Sequence, residues 1–278
     1  MKNATFTTAK KTIVYAIAAF SFFALCACSA DSGIAGPDAD YSSVEQSIMP
    51  QDDNSVSART IVPNNRPALP EGLGSKWGTV TDVRDGKTYK TVRIGVQTWM
   101  AENMNYETRL GSYCYNNSAD SCAKYGRLYT WAAAIGSIDN ECGVRRDCSY
   151  LENAKVRGVC PVGWRVPTLD DWNTLIHYVG GIDVAGKMLK SYGDWDGDKN
   201  KSVKNPDMYG FSARPSGGKT DGIDYYSGAS FGTDFWTTAQ ATGLLNNAMA
   251  IYISYRSNKI FGIRDHKDTG NPVRCVKD

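Results

Sequence analysis

The chain has 278 residues, long enough for one large domain or two small ones. Lys and Arg total 31 against 29 Asp and Glu, and three of the lysines (Lys2, Lys10 and Lys11) fall at the very start. Setting those three aside leaves 28 basic against 29 acidic residues, so there is no basic excess to neutralise phosphates, and nucleic acid is excluded as an expected partner.

Lys2, Lys10 and Lys11 precede an apolar run over 13–25, and no acidic residue occurs before Asp31. A basic start followed by a short apolar run is the pattern of a secretory signal. The run is shorter than the ~20 apolar residues that span a bilayer. Leu25-Cys26-Ala27-Cys28-Ser29 resembles the lipobox of bacterial lipoproteins. That resemblance implies a signal peptide over 1–27, lipidation of Cys28, and export to a membrane-anchored position, with Ser29 favouring the outer membrane or cell surface. Acyl anchoring is physically sufficient, since each buried methylene contributes ~0.8 kcal/mol. Residues 28–74 are rich in Ser, Asp, Pro, Asn and Ala. They cannot bury enough apolar surface to offset their ordering entropy, so a flexible tether is expected there.

An ordered domain is expected over 75–278. Residues 78–95 read as two strands around Asp85-Gly86, a dipeptide suited to a two-residue type I′ turn. Residues 96–100 read as a further strand and 113–122 as a disulfide-closed loop. Residues 125–131 alternate like a strand, 132–135 favour a short helix stopped by Gly136, and 137–150 read as a second stapled loop. Pro167 disfavours helix at Val166. Thr168 is the expected N-cap, and Asp171 can return a hydrogen bond to its amide, a capping box with Asp in place of Glu. Trp172, Leu175, Ile176 and Val179 then form one apolar face at helical spacing. Gly180-Gly181 ends that helix, and Asp183 is expected to cap a second one through Leu189. Residues 194–205 read as a polar loop, 209–214 as a strand and 215–218 as a turn. Strands are expected at 233–239, 248–255, 259–264 and 272–276. Trp131, Trp164, Trp172 and Trp236 are assigned to the core.

Besides Cys28 and the signal's Cys26, the cysteines are Cys114, Cys122, Cys142, Cys148, Cys160 and Cys275. Their number is even and the expected compartment oxidising, so three disulfides are expected. Six cysteines allow fifteen connectivities. Sequence proximity suggests Cys114–Cys122 and Cys142–Cys148, which leaves Cys160 with Cys275. A zinc site is disfavoured, because no Cys-x-x-Cys occurs and the chain has only 2 histidines.

The blocks 78–95 and 97–103, Tyr125-Gly-Arg-Leu-Tyr-Thr-Trp131, Cys160-Pro-Val-Gly-Trp-Arg-Val-Pro-Thr168, Tyr209-Gly-Phe-Ser-Ala213, Phe235-Trp-Thr237 and Val273-Arg-Cys-Val276 resemble, in order, the Fibrobacter succinogenes major paralogous domain. That family is similar to the C-type lectin-like and formylglycine-generating-enzyme fold. The resemblance implies an α+β domain with two helices on a twisted antiparallel sheet, long disulfide-stapled loops, and first and last strands brought together. A Cys160–Cys275 bridge agrees with that arrangement. The family carries over no activity, and its members are secreted or surface lipoproteins.

Four oxygen-bearing residues, Asp194, Asp196, Asp198 and Asn200, alternate along one loop like the first half of an EF-hand. Calcium is the one cofactor they raise. Against it, the glycine stands fourth rather than sixth and Asn205 replaces the closing Glu, so the plainer reading is a solvated turn. Trp195, Tyr225, Tyr226 and Tyr255 are candidates to stack on sugar faces, weighed against packing. Asp170 and Asp171 are adjacent on a helix and diverge, unlike the facing carboxylates of glycoside hydrolysis. His177 reads as packing beside the apolar face and His266 as part of a charged loop. No Gly-x-Ser-x-Gly is present. Ser216-Gly-Gly-Lys-Thr220 lacks the first glycine of a phosphate loop and reads as a turn. The expected function is a non-catalytic binding or adhesion module on the cell envelope, presenting loops around 191–232 to polysaccharide or protein. The alternatives are an oxidase of the formylglycine-generating kind, which needs a free thiol pair, and a structural envelope protein without a small ligand.

Overall fold

The computed structural model describes residues 76–196 and 207–278. The signal segment, Cys28, the tether, and Asp198 and Asn200 of the calcium set lie outside the described residues. In chain order the described elements are β1 (Trp77–Thr81), β2 (Thr88–Ile94), β3 (Gln97–Met100), β4 (Ser112–Tyr113), α1 (Ala119–Tyr125), β5 (Leu128–Tyr129), α2 (Trp131–Ala134), α3 (Asp139–Cys142), β6 (Trp164–Arg165), α4 (Leu169–Tyr178), α5 (Ile182–Leu189), β7 (Ser216–Lys219), β8 (Tyr226–Ala229), β9 (Gly232–Gln240), β10 (Asn247–Ser254), β11 (Ile260–His266) and β12 (Val276–Lys277). The domain is therefore α+β.

The main sheet runs in the order β1-β2-β3-β12-β6, with every pair antiparallel. Its first and last strands in the sequence thus share one sheet. β2 and β3 join through Gly95-Val96, and Gly95 takes φ 60 at the first central position of the turn, where glycine adopts positive φ without steric cost. The β1–β2 connection differs from the expected two-residue turn. Only Gly86 there has positive φ, whereas a type I′ turn needs it at both central residues. The buried Asp82 organises a longer loop instead. Its carboxylate accepts from the Arg84 amide at 3.0 Å and from the Arg84 guanidinium at 2.6 Å, while the Gly86 amide donates to its carbonyl at 2.8 Å.

A second sheet, β11-β10-β9, lies between two apolar clusters. Trp236, Ala250 and Ile263 join one cluster with Trp131; Phe235, Ile251 and Ile253 join the other with Trp172. This alternation is the period-two signature of strands buried on both faces. Helix α4 packs its Trp172, Leu175, Ile176 and Val179 into the second cluster, with Trp172 at 5.1 Å from Trp99 and 5.5 Å from Phe235, ring centre to ring centre. The indoles of the first cluster are fixed by hydrogen bonds: Trp131 Nε1 donates to the Thr237 carbonyl and Trp236 Nε1 to that of Tyr129.

The start of α4 has the anticipated capping box. The Asp171 amide donates to Thr168 Oγ1 at 3.1 Å, and the Thr168 amide donates to Asp171 Oδ2 at 2.8 Å. Asp171 also takes both terminal nitrogens of Arg165, which ties β6 to the helix. Burial pushes this carboxyl upward, but the donors of Arg165 and Thr168 outweigh burial and hold it below the usual range. Thr168→Ala is expected to cost about 1 kcal/mol in urea unfolding, the typical value of a lost N-cap.

Several local expectations need correction. Residues 125–131 are the end of α1, the two-residue β5, and the start of α2 capped by Thr130. Gly126, at φ 78, breaks the helix there. The two stapled loops carry helices α1 and α3. Residues 209–214 form no strand beyond one bridge between Lys190 and Ala213. Ser212 sits at φ 53, with its amide and hydroxyl bound by the Asp207 carboxylate. Residues 216–219 are a strand paired with β8 rather than a turn. Gly181, not Asp183, precedes α5, and Asp183 forms an ion pair with Lys259 at 3.1 Å. Within 272–276 only Val276 is in a strand. His177 is exposed rather than packed, and His266 closes β11.

The six cysteines pair as Cys114–Cys122, Cys142–Cys148 and Cys160–Cys275. The loop of the second bridge is held by Lys267, whose buried ammonium donates to the carbonyls of Gly143 and Arg146 and to Gln240 Oε1. It lies 4.7 Å from the Trp131 ring centre. Burial lowers its pKa from 10.5 to about 8. Below pH 8 both folded and unfolded chains carry this charge, and the full burial cost is present. Above it the folded chain releases the proton first, so the unfolded state binds more protons and stability rises with pH. Urea midpoints are expected to climb between about pH 7.5 and pH 9.5, and Lys267→Met to flatten the start of that rise, while the buried Arg274, lowered to about 9, keeps its upper end. The window ends there because Tyr89 and Tyr226, pushed up to about 12 by burial, act with the opposite sign once free tyrosines ionise.

Candidate functional site

Among the described residues, those singled out for calcium and stacking have separate surroundings. Asp194 already faces two cations, Lys124 at 3.9 Å and Arg214 at 3.5 Å, and accepts from Ser191 Oγ at 2.9 Å. Those cations compete with any calcium ion. The Asp196 amide donates to the Ser230 carbonyl. Among the described residues no group of three or more His, Cys, Asp or Glu side chains could hold a metal ion.

Trp195 is a core residue, not a stacking platform. It is only 1% exposed, and its Nε1 donates to the Ala213 carbonyl at 3.2 Å. Its polar flanks gave no hint of this. Tyr225 is exposed. Tyr226 is half-buried, edge-on to Tyr115, with its hydroxyl on Asn117 Oδ1 at 2.8 Å. Tyr255 packs against Phe231, with the Arg256 guanidinium over its ring. The tyrosines thus have separate neighbours. All six cysteines of the described residues are in disulfides, so the oxidase alternative lacks its free thiol pair.

A cleft of about 470 Å³ opens elsewhere, among β1, β2, the 101–105 segment, the end of α1, and residues 212–214. Its volume suits a ligand site, which typically spans roughly 300–1,000 Å³. Lys87, Lys90, Lys124, Arg214 and Arg274 line it against the single carboxylate of Glu102. Asp85, bonded to Lys87 at 2.7 Å, and Asp194 stand just outside. Counting both, and Asp207, whose carboxylate holds Ser212 of the lining, five positive charges meet four negative ones, and the cleft keeps a surplus of one.

Each wall has a local cause. Lys90 is an outward position of β2, whose neighbour Tyr89 points into the core. Its backbone amide donates to Glu102 Oε2 at 2.7 Å, which fixes that carboxylate on the wall. Trp77 is 54% exposed at the mouth. Its indole rests on Gly210, where an added Cβ would fall 1.9 Å from a ring carbon, so only glycine permits this seat.

Arg274 forms the floor at 1% exposure. Its Nε and Nη2 donate to Asn103 Oδ1 at 2.9 and 2.6 Å; its terminal nitrogens also donate to the carbonyls of Met100, Phe211 and Ser212. Among the described residues no carboxylate touches it. Burial lowers its pKa to about 9, with the more distant Asp207 and Glu102 pulling the other way. It therefore stays a cation at neutral pH, with a field that reaches the cleft through a low-dielectric wall. The set can hold an anion, with an aromatic face beside it.

Little in the sequence marks this site. Trp77 stands near the start of the expected ordered domain, and the remaining walls come from segments far apart in the chain. The one local signal was the outward lysine in an alternating strand, which resembles any solvated lysine.

The family described as Fibrobacter succinogenes major domain matches residues 92–277. No curated protein and no solved structure matches the chain.

Proposed function

We propose that this chain, which belongs to the Fibrobacter succinogenes major domain family, is a non-catalytic binding module of the cell envelope. In this reading the chain is exported, lipidated at Cys28, and anchored to the outer membrane or cell surface, with residues 28–74 as spacer. The domain takes a C-type lectin-like arrangement. Three features support that arrangement: β1 and β12 share one sheet, α4 packs beside the three-stranded sheet, and long disulfide-stapled segments lie between them. Polysaccharide or envelope protein is the ligand.

One observation carries the binding reading. It is the cleft in which an exposed indole borders a surplus of positive charge. This moves the binding surface away from the 191–232 loops taken as a whole and keeps only their Arg214 end. Retention of the full chain, purified in detergent, on a panel of envelope polysaccharides and proteins tests it. Specific retention on one of them is expected, and retention on none would overturn it. Cys28→Ser tests the anchor separately: the chain is expected to lose its acyl mass and appear in the soluble fraction, and an unchanged membrane fraction would defeat the lipoprotein reading.

A further inference from the structure

We infer that the cleft takes an anionic glycan, a pyranose chain bearing carboxylate or sulfate groups; this rests on the binding-module reading. The charge sets the sign of the ligand. Lys90 is exposed, and its ammonium has no partner among the described residues. Arg214 gives Nη1 to the Lys124 carbonyl at 2.9 Å, and the Lys124 ammonium lies 4.6 Å from the Tyr125 ring centre; both approach Asp194 only at 3.5 and 3.9 Å, longer than hydrogen bonds, and so keep further N–H groups for the cleft. Beneath them Arg274 is a cation buried without a carboxylate in contact among the described residues. Its five N–H groups are already used, so it acts on a ligand through space. A bound anion supplies the counter-charge that the protein itself omits.

The indole sets the shape. Trp77, with Gly210 against its ring and the Lys76 ammonium 5.2 Å from its ring centre, still exposes 54% of itself at the mouth of an otherwise polar cleft. A pyranose presents a face of C–H groups to such a ring and hydroxyls to the polar groups around it, whereas an extended peptide would need apolar side-chain pockets. Apart from aromatic residues the apolar lining is only Ala101, Ala123 and the bridged Cys122, which form none. Nucleic acid fits poorly, because the chain beyond its first lysines is close to neutral.

The test is titration of the full chain in detergent with polygalacturonate, its fully methyl-esterified form, dextran sulfate, poly-glutamate and an oligonucleotide. Polygalacturonate or dextran sulfate is expected to bind, and comparing the two distinguishes carboxylate from sulfate. If polygalacturonate is the binder, methyl esterification is expected to weaken it by about tenfold or more. Poly-glutamate and the oligonucleotide are expected to bind at least about tenfold more weakly than the better glycan. Lys90→Glu, at an exposed position, and Trp77→Ala are each expected to lower glycan affinity by a similar factor, with Trp77→Phe retaining most of it. Equal binding of the esterified chain would overturn the charge argument. Equal binding of poly-glutamate or the oligonucleotide, with Trp77→Ala silent, would overturn the glycan argument while the binding-module reading stands. If none of these probes binds but a neutral envelope polysaccharide does, the inference fails alone; if nothing binds at all, the reading beneath it fails too.

Discussion

Replacing Arg274 with methionine is expected to destabilise the domain by about 3–5 kcal/mol, the range seen when one member of a buried charged network is removed. Buried charges are often dispensable, since swapping an entire ion pair for apolar side chains can leave stability unchanged. Here that escape is closed. The acceptors are the Asn103 side chain and the carbonyls of Met100, Phe211 and Ser212, and three of those four are backbone. No substitution removes them, and each one left buried without a donor costs about 1–3 kcal/mol. The planar guanidinium also lies 4.6 Å from the Phe211 ring centre and 5.4 Å from that of Phe235. Lysine cannot follow this geometry, because its three donors radiate from a point rather than a fork. Arg274→Lys is therefore expected to recover only part of the loss. Urea unfolding followed by tryptophan fluorescence measures both variants. A neutral Arg274→Met would mean that the guanidinium holds nothing together and matters only for the field in the cleft.

The same residue shows why part of the fold was hidden from the sequence. Tyr209-Gly-Phe-Ser-Ala213 has the alternation of a strand, yet the Phe211 and Ser212 carbonyls are taken by a side chain more than sixty residues later in the chain. Alternation reports which side chains are buried, and Phe211 and Ala213 are buried, but it does not report what satisfies the backbone. Asp85-Gly86 misled in a similar way: a favoured turn pair lost to Asp82 and Arg84, whose guanidinium also donates to the Val159 carbonyl, 75 residues on. Where the determining contacts are local, the sequence was legible. Thr168 and Asp171 are three residues apart and form the cap they spell. Two of the disulfides close over eight residues or fewer. The cleft is the opposite case. Trp77, Lys90, Lys124, Arg214 and Arg274 come from segments far apart in the chain and meet only in the folded domain, so none carries a local mark of its role.

Loss of the Cys160–Cys275 bridge, by replacing both cysteines with serine, is expected to cost about 4–5 kcal/mol, while loss of either local bridge costs about 2 kcal/mol, from the entropy of closing loops of these lengths in the unfolded chain. The separations are 115, 8 and 6 residues for the long bridge and the two local ones. The long bridge joins the segment before β6 to the segment before β12, and those strands then pair, Val276 opposite Arg165 and Lys277 opposite Trp164. Two residues each is too little ladder to hold a chain end alone. The Cys275 carbonyl also accepts from the Met100 amide at 2.9 Å, so the bridge fixes the register of β12 against β3 as well. Cys275 is the immediate neighbour of Arg274, and both secure the same terminal segment. Once the bridge is gone, that segment frays more readily, and the guanidinium has less left to hold. The double cysteine variant combined with Arg274→Met is therefore expected to lose less than the sum of the two separate losses, by more than about 0.5 kcal/mol, the usual scatter of independent sites. Strict additivity would show that the bridge acts only on the unfolded chain. Equal costs for the long and short bridges would show instead that native contacts, and not loop closure, set what each is worth.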